Sequence, residues 1–173
     1  MKILYLTQNL PYPPISGGSI RAFQILQYLI GKGDVALVSK YNPDKDADAV
    51  FPLKKLCRKV ITIDYKKCNY HIKQSFKVSI RQRIKRLIDL RTWELYDSYS
   101  DEYYDAINSL CPESFDLIVL KNSALFQYFI YNSKLRKLAY KVVIDSDDVL
   151  TKMLDREISA MPINVHRFKR MVD

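Results

Sequence analysis

Short, continuous runs of Ile, Val and Leu recur along the chain, separated by longer stretches in which apolar residues return with helical spacing. The runs lie at residues 3–6, 35–38, 60–63, 117–120 and 142–144. Strands covered by helices on both faces are apolar throughout, and such strands occur in parallel sheets. The pattern therefore predicts an α/β fold of the Rossmann-like, doubly wound kind, with a mostly parallel sheet and helices on both faces.

Helical periodicity is clearest between the first two runs. The apolar residues there recur every three or four positions: Ile20, Phe23, Leu26, Leu29 and Ile30. Gly31 and Gly33 then end the pattern before the next strand. Further helices are predicted over residues 92–110, 123–132 and 147–158, so that strands and helices alternate along most of the chain.

Length and composition predict one core. The chain has 173 residues, of which 48% are hydrophobic, within the usual range of a single domain. We expect residues 1–160 to form this domain, and residues 161–173 to form a terminal helix leading toward a further domain. The apolar start is too short for a signal peptide or a membrane span, which predicts a cytoplasmic protein.

Cysteine and histidine spacing argues against a disulfide framework and a zinc site. The three cysteines, Cys57, Cys68 and Cys111, show no C-x-x-C spacing, and neither His71 nor His166 lies near a matching pair of ligands. No metal site and no cofactor are predicted from these residues.

The net charge of +9 is concentrated in one segment, since residues 66–91 hold nine Lys or Arg and one Asp. Apolar residues recur there at helical spacing: Phe76, Ile80, Ile84, Leu87 and Ile88. This predicts a basic amphipathic helix that lies on an anionic membrane. The predicted membrane-binding residues are Lys73, Lys77, Arg81, Lys85 and Arg86. An alternative is that the apolar face packs on the sheet. Nucleic acid is disfavoured because the 13 tyrosines form no aromatic platform along the basic run.

The loop after the first strand, residues 9–18, is predicted to be extended because it contains three prolines. Gly17 and Gly18 end this loop, and they allow a ligand to approach the backbone closely and allow a positive φ. The helix that follows has free N–H groups at its start, which suit a phosphate or a sugar hydroxyl. Ser16 or Ser19 is the expected helix cap. A tight turn alone would also explain the two glycines. The glycine motifs of dinucleotide-binding proteins and P-loop NTPases are absent from the sequence.

Three carboxylates, Asp145, Asp147 and Asp148, follow the last predicted strand, at the edge of the sheet that also carries the first loop. They have a structural explanation too, since Ser146 can cap a following helix and acids complement its positive end.

Asp145-Ser146-Asp147 also matches the short D-x-D pattern of metal-dependent GT-A glycosyltransferases. That alternative predicts loss of activity with a chelator, whereas a GT-B enzyme would lose little.

The segment PYPPISGGSIR, residues 11–21, together with the preceding KILYL strand, resembles the start of family 4-type glycosyltransferases, which are retaining enzymes with the GT-B fold. The resemblance implies that Gly17 and Gly18 lie beside the donor's diphosphate, with Arg21 nearby. It also implies that an acid at the end of the last strand contacts the transferred sugar, first Asp145 and then Asp148. The family's histidine is absent at this turn.

By this resemblance the chain is the N-terminal, acceptor-binding half of a GT-B enzyme, with Ser16, Gly17, Gly18, Arg21 and Asn122 as its substrate-binding residues. A nucleotide-sugar donor and a polysaccharide or glycolipid acceptor are the implied substrates, and the inner face of the plasma membrane is the implied location. Without the donor-binding domain the chain is expected not to turn over. The alternative function is a non-catalytic Rossmann-like module that binds an anionic membrane or nucleic acid through the basic helix.

Overall fold

The computed structural model describes residues 1–68, 100–110 and 113–146. These residues form one parallel sheet with the strand order β3-β2-β1-β4-β5. The strands are β1 (Lys2–Thr7), β2 (Asp34–Tyr41), β3 (Lys59–Asp64), β4 (Phe115–Leu120) and β5 (Ala139–Ile144). The helices are α1 (Gly17–Ile30), α2 (Pro43–Leu56), α3 (Asp101–Asn108), α4 (Phe126–Tyr131) and α5 (Ser133–Leu138), with a 3₁₀ turn at Ser123–Leu125. The α/β, Rossmann-like fold predicted from the apolar runs is therefore confirmed.

Successive side chains of a strand point to opposite faces of the sheet. Because the side chains of β1 are apolar on both faces, helices cover both. On one face, Ile3 and Tyr5 of β1 pack with buried residues of α1 and α2. On the other, Leu4 and Leu6 pack with α3, α4 and α5. Both sides of the central strand are thus dry, which explains why its sequence is apolar without alternation.

The order of the strands reverses beside β1. From β1 the chain moves outward through β2 and β3, and later through β4 and β5 on the opposite side. In open α/β sheets ligands bind at such a reversal, outside the carboxyl ends of the strands. This places the crevice between the ends of β1 and β4.

Helix α1 buries Ala22, Leu26 and Leu29 against the sheet. The Tyr5 hydroxyl donates to the carbonyl of Ala22 over 3.2 Å, which ties the helix to the central strand. Ile20, expected to face the core, is instead exposed. At 3.6 residues per turn it lies on the side of α1 opposite to the buried Ala22, Leu26 and Leu29.

The prediction of one helix over residues 92–110 is wrong at residue 100, because Ser100 is not helical and α3 begins only at Asp101. Ser100 has extended backbone (φ −142°, ψ 141°), and its hydroxyl accepts from the Tyr103 amide over 3.2 Å. Its own amide donates to the Tyr128 hydroxyl over 2.8 Å, which holds it out of the helix. Serine is a favoured N-cap because this exchange satisfies amides that the helix leaves open.

Several sequence predictions fall outside the described residues. These are the basic helix with its membrane-binding residues, the remainder of the acidic turn including Asp148, the helix over 147–158 and the terminal helix over 161–173. Within the described ranges, no helix is long and apolar enough to cross a membrane.

Candidate functional site

The residues that follow β4 and β5 are held at the carboxyl edge of the sheet by backbone hydrogen bonds that continue the ladder. The Lys121 amide donates to the carbonyl of Leu6 over 3.0 Å, and the Asp145 amide donates to that of Leu120 over 2.8 Å. Each side chain therefore leaves a rigid backbone position and points into the crevice region beside β1.

Asp145 lies between two cations. Its Oδ2 accepts from Lys121 Nζ over 3.0 Å and from Arg21 Nε over 3.2 Å, and its Oδ1 is bound by Arg21 Nη2. Lys121 is 6% exposed and the Asp145 side chain 15%, whereas Arg21 reaches in from the solvent side of α1. We call these three residues the carboxyl-edge ion group.

The pKa of Asp145 is lowered from its ordinary value. Burial acts to raise it, but the hydrogen bonds and charges of Arg21 and Lys121 outweigh burial. At neutral pH this carboxylate is ionised, so it can stabilise positive charge or accept a hydrogen bond, and it has no proton to donate.

The first turn of α1 leaves two amides open. Ser16 and Ser19 exchange bonds at the cap, because Ser16 Oγ accepts from the Ser19 amide over 3.3 Å and Ser19 Oγ accepts from the Ser16 amide over 2.8 Å. Among the described residues, the amides of Gly17 and Gly18 have no acceptor. A helix N-terminus with open amides and a positive dipole end favours an anion.

The expectation that Gly17 and Gly18 supply a positive φ is wrong, since no described glycine has one. Both residues are already helical, and a Cβ built on either would have no atom within 4 Å. The backbone therefore does not require glycine at either position. What glycine does provide is an uncovered surface at the start of α1.

Thr7, the last residue of β1, carries a buried hydroxyl without a partner. Its Oγ1 has no hydrogen bond within the described part of the chain, although its carbonyl accepts from the Tyr103 hydroxyl over 3.0 Å. By strand alternation Thr7 points to the same face as Ile3 and Tyr5, the face that α1 covers. A buried polar group is ordinarily paired, so this hydroxyl is available to a ligand.

These features meet in a cavity of about 160 Å³, the α1 pocket. It is lined by Thr7, Gln8, Asn9, Leu10, Ser16, Gly18, Ser19, Ala22, Lys121 and Asn122. The side chain of Asn122 is held in place because its Oδ1 accepts from the Ala124 amide over 2.7 Å. The pocket lies beside the carboxyl-edge ion group, which contains two cations and one anion.

The structure brings most of the predicted site residues together. Ser16, Gly18 and Asn122 line the α1 pocket, and Arg21 contacts Asp145 beside it. Gly17 is adjacent in the first turn of α1 but does not line the cavity. Asp148, and Asp147 of the D-x-D pattern, lie outside the described residues. Among the described residues, no group of three His, Cys, Asp or Glu side chains is arranged to hold a metal.

Two residues of the site were missed from the sequence, Lys121 and Thr7. The signal for Lys121 was present, because it directly follows the fourth apolar run just as Asp145 follows the fifth. Thr7 follows the first run in the same way. A polar residue directly after an apolar run was therefore informative at all three positions.

Comparison with known proteins yields no match: no family model, no curated protein and no solved structure is similar to this chain. The geometry of the site itself has to support any functional conclusion.

Proposed function

We propose that this chain is the N-terminal, acceptor-side domain of a GT-B glycosyltransferase similar to family 4. Such an enzyme moves a sugar from a nucleotide-diphosphate donor to a hydroxyl of a polysaccharide or glycolipid at the cytoplasmic membrane. The observation that carries the proposal is the α1 pocket at the reversal of strand order. Open amides, a buried hydroxyl without a partner among the described residues, and the cations Lys121 and Arg21 lie together there.

A diphosphate oxygen suits this pocket for electrostatic reasons. It can accept from the amide of Gly18, which lines the cavity, and from that of Gly17 in the same turn of α1. It can also accept from the Thr7 hydroxyl and is attracted by Lys121 and Arg21. Charge-assisted hydrogen bonds of this kind are about twice as strong as neutral ones.

Asp145 fits the role of a fixed anion. Its two cationic neighbours keep it ionised and hold its carboxylate in one orientation. Sugar transfer passes through a transition state with positive charge on the sugar, which a preoriented carboxylate stabilises without having to reorganise. Because the pKa of Asp145 is lowered, we assign it no part as a proton donor.

The size of the α1 pocket fits half of a donor site. At about 160 Å³ it is smaller than the roughly 300 Å³ at which ligand pockets usually begin. A complete nucleotide sugar therefore needs a second surface, which the donor-binding domain of a GT-B enzyme would supply. We accordingly expect the chain alone to bind a diphosphate weakly and not to transfer sugar.

Titration of the 173-residue chain with UDP and GDP, followed by amide NMR, tests this function. We expect millimolar binding that shifts the amides of Gly17 and Gly18. Gly18→Ala should weaken binding by roughly tenfold, because the new methyl group covers an amide that a charged ligand uses. Gly31→Ala is the matched control, since it makes the same change at the other end of α1, at a residue with ordinary helical φ.

Two outcomes would contradict the proposal. One is that neither nucleotide shifts the first turn of α1, or that Gly31→Ala weakens binding as much as Gly18→Ala. The other is that the isolated chain transfers sugar from a nucleotide donor to an oligosaccharide at an ordinary enzymatic rate, which would mean that the site is complete.

A further inference from the structure

A second cavity, the β2–β3 pocket, opens at the same edge of the sheet, over the ends of β2 and β3. It has a volume of about 200 Å³ and is lined by Asn9, Lys40, Tyr41, Asn42, Asp46 and Tyr65. Of these residues, only Asn9 belongs to a segment that the sequence analysis singled out, the loop over residues 9–18. Asn9 lines both this cavity and the α1 pocket, so the two are neighbours along one crevice.

The polar groups of the β2–β3 pocket are held in place by the start of α2. Asn42 caps that helix, with its Oδ1 accepting from the Asp44 amide over 3.1 Å, and its own amide donates to Asp46 Oδ2 over 2.9 Å. These bonds leave the Asn42 side-chain NH₂ and Asp46 Oδ1 without partners among the described residues. A fixed donor and a fixed acceptor therefore lie side by side at the cavity wall.

The two charged side chains in the lining of the β2–β3 pocket are Lys40 and Asp46. Lys40 is 6% exposed, and its ammonium lies 5.5 Å from the ring centre of Tyr103, an arrangement that stabilises a buried cation. Asp46 contributes the opposite charge. With one cation and one anion in its lining, the pocket suits a neutral ligand with several hydroxyls.

Two tyrosines complete the lining. Tyr65 is 41% exposed and lines the cavity, while Tyr41 is partly buried against the core. Aromatic rings supply apolar contact area and, in tyrosine, a polar hydroxyl at the end. A sugar ring presents the same combination, with C–H groups on its faces and hydroxyls around its edge.

We infer that the β2–β3 pocket binds one neutral sugar ring, with Asn9, Asn42 and Asp46 pairing with its hydroxyls and Tyr65 contacting its face. A volume of about 200 Å³ holds one ring and little more, since pockets for larger ligands begin at roughly 300 Å³. The identification of this ring as the acceptor rests on the proposed function, because the shared Asn9 places it beside the site for the donor's diphosphate.

Two NMR experiments on the 173-residue chain test the inference: saturation transfer, which detects the bound ligand, and amide-detected spectra, which report shifts of the protein. The probes are the methyl pyranosides of glucose, mannose, galactose and N-acetylglucosamine, with inorganic phosphate for comparison. We expect at least one glycoside to bind at millimolar concentration and to shift the side-chain amides of Asn9 and Asn42. Phosphate should leave those two amides unchanged.

Three variants locate the bound ring. Tyr65→Ala should weaken glycoside binding by roughly tenfold, whereas Tyr65→Phe, which keeps the ring face, should retain most of it. Asp46→Asn keeps the oxygen that Asn42 needs and removes the charge, and it should also weaken binding. Tyr28→Ala, which removes an exposed tyrosine from α1 far along the helix from the crevice, is the control and should change nothing.

The inference is overturned if none of the four glycosides binds, if phosphate alone shifts Asn9 and Asn42, or if Tyr28→Ala weakens binding as much as Tyr65→Ala. These results are distinguishable from failure of the proposed function. Glycoside binding that survives Gly18→Ala, without any nucleotide binding, would reject the diphosphate site and keep the sugar site. Nucleotide binding without glycoside binding would do the reverse.

Discussion

The two edges of the sheet carry similar ion groups in different surroundings. At the carboxyl edge, the ion group of Arg21, Lys121 and Asp145 borders the α1 pocket. At the amino edge, Glu113 is bound by Arg58, and its Oε1 lies 3.9 Å from Lys59 Nζ. In both places one carboxylate is shared by two cations, so the chemistry is nearly the same.

Burial separates the two groups. Lys121 is 6% exposed, whereas Arg58 and Lys59 are 38% and 43% exposed. The pKa of Glu113 is lowered, mainly by its hydrogen bond with Arg58, yet water surrounds the group and screens its charges. Contact between opposite charges therefore does not identify a site. Burial on a rigid backbone beside a cavity does.

Glycines show the same contrast between the edges. At Gly33, before β2, a Cβ would lie 2.0 Å from the carbonyl oxygen of Met1, a backbone atom that also accepts from the Asp34 amide. At Gly17 and Gly18 a Cβ would meet nothing. The fold therefore requires glycine at position 33, whereas the described residues leave room for a larger side chain at positions 17 and 18.

The largest expected effect tests this contrast between glycines. Gly33→Ala should lower the free energy of unfolding by about 2–3 kcal/mol, because the backbone of the first strand must shift and the bond to Met1 is lost. Gly18→Ala should leave it unchanged or raise it by up to about 0.5 kcal/mol. Urea denaturation followed by circular dichroism measures both. Equal losses would show that the two edges do not differ in this way.

The next effect concerns the buried cation. Lys121→Met should cost about 2 kcal/mol of stability, less than the full cost of breaking a buried pair because Arg21 still binds Asp145. Arg58→Met, the matched change at the amino edge, should cost less than about 0.5 kcal/mol. The same denaturation experiment compares them, and a larger loss for Arg58→Met would contradict the importance given to burial.

Acid stability sharpens the comparison further. The pKa of Asp145 is lower in the folded chain than its ordinary value of 3.8. The ionised carboxylate therefore contributes its full stabilisation above pH 3.8, and this stabilisation is lost as the pH falls through the pKa of the folded state. Asp145→Asn should therefore lower stability by about 1 kcal/mol at pH 7 and have little effect near pH 2. Glu113→Gln should show a smaller difference between the two pH values. A difference as large as that of Asp145→Asn would argue against a special environment at the carboxyl edge.

The smallest expected effect has the opposite sign. Thr7→Val keeps the shape of the side chain and removes a buried hydroxyl without a partner, so stability should rise by about 0.5 kcal/mol. The same variant should weaken nucleotide binding, since the hydroxyl lines the α1 pocket. A variant that loses stability would show that the hydroxyl is already satisfied in the free protein.

Elements with strong apolar patterns could be predicted from the sequence. The strands β1, β2 and β4 are buried on both faces, so their burial is visible as continuous runs of apolar residues. Helix α2 was not among the helices located, because only Ala49 and Leu53 are buried and the helix contains Pro52. The start of α3 was misplaced because a cap depends on the hydrogen bonds of Ser100 to other elements, which periodicity does not report.

The sequence by itself determined the alternation of strands and helices, a serine cap at Ser16 or Ser19, and the polar residues that follow β1, β4 and β5, because these depend on neighbours along the chain. Only the tertiary structure decided that Arg21 and Asp145, 124 positions apart, meet across the crevice and that Lys121 joins them. It also decided that the Thr7 hydroxyl has no partner among the described residues and that Asn9 lines two cavities. These contacts depend on the order of the strands in the sheet and on where each helix begins relative to the strand before it. Neither property can be derived from the spacing of residues along the chain.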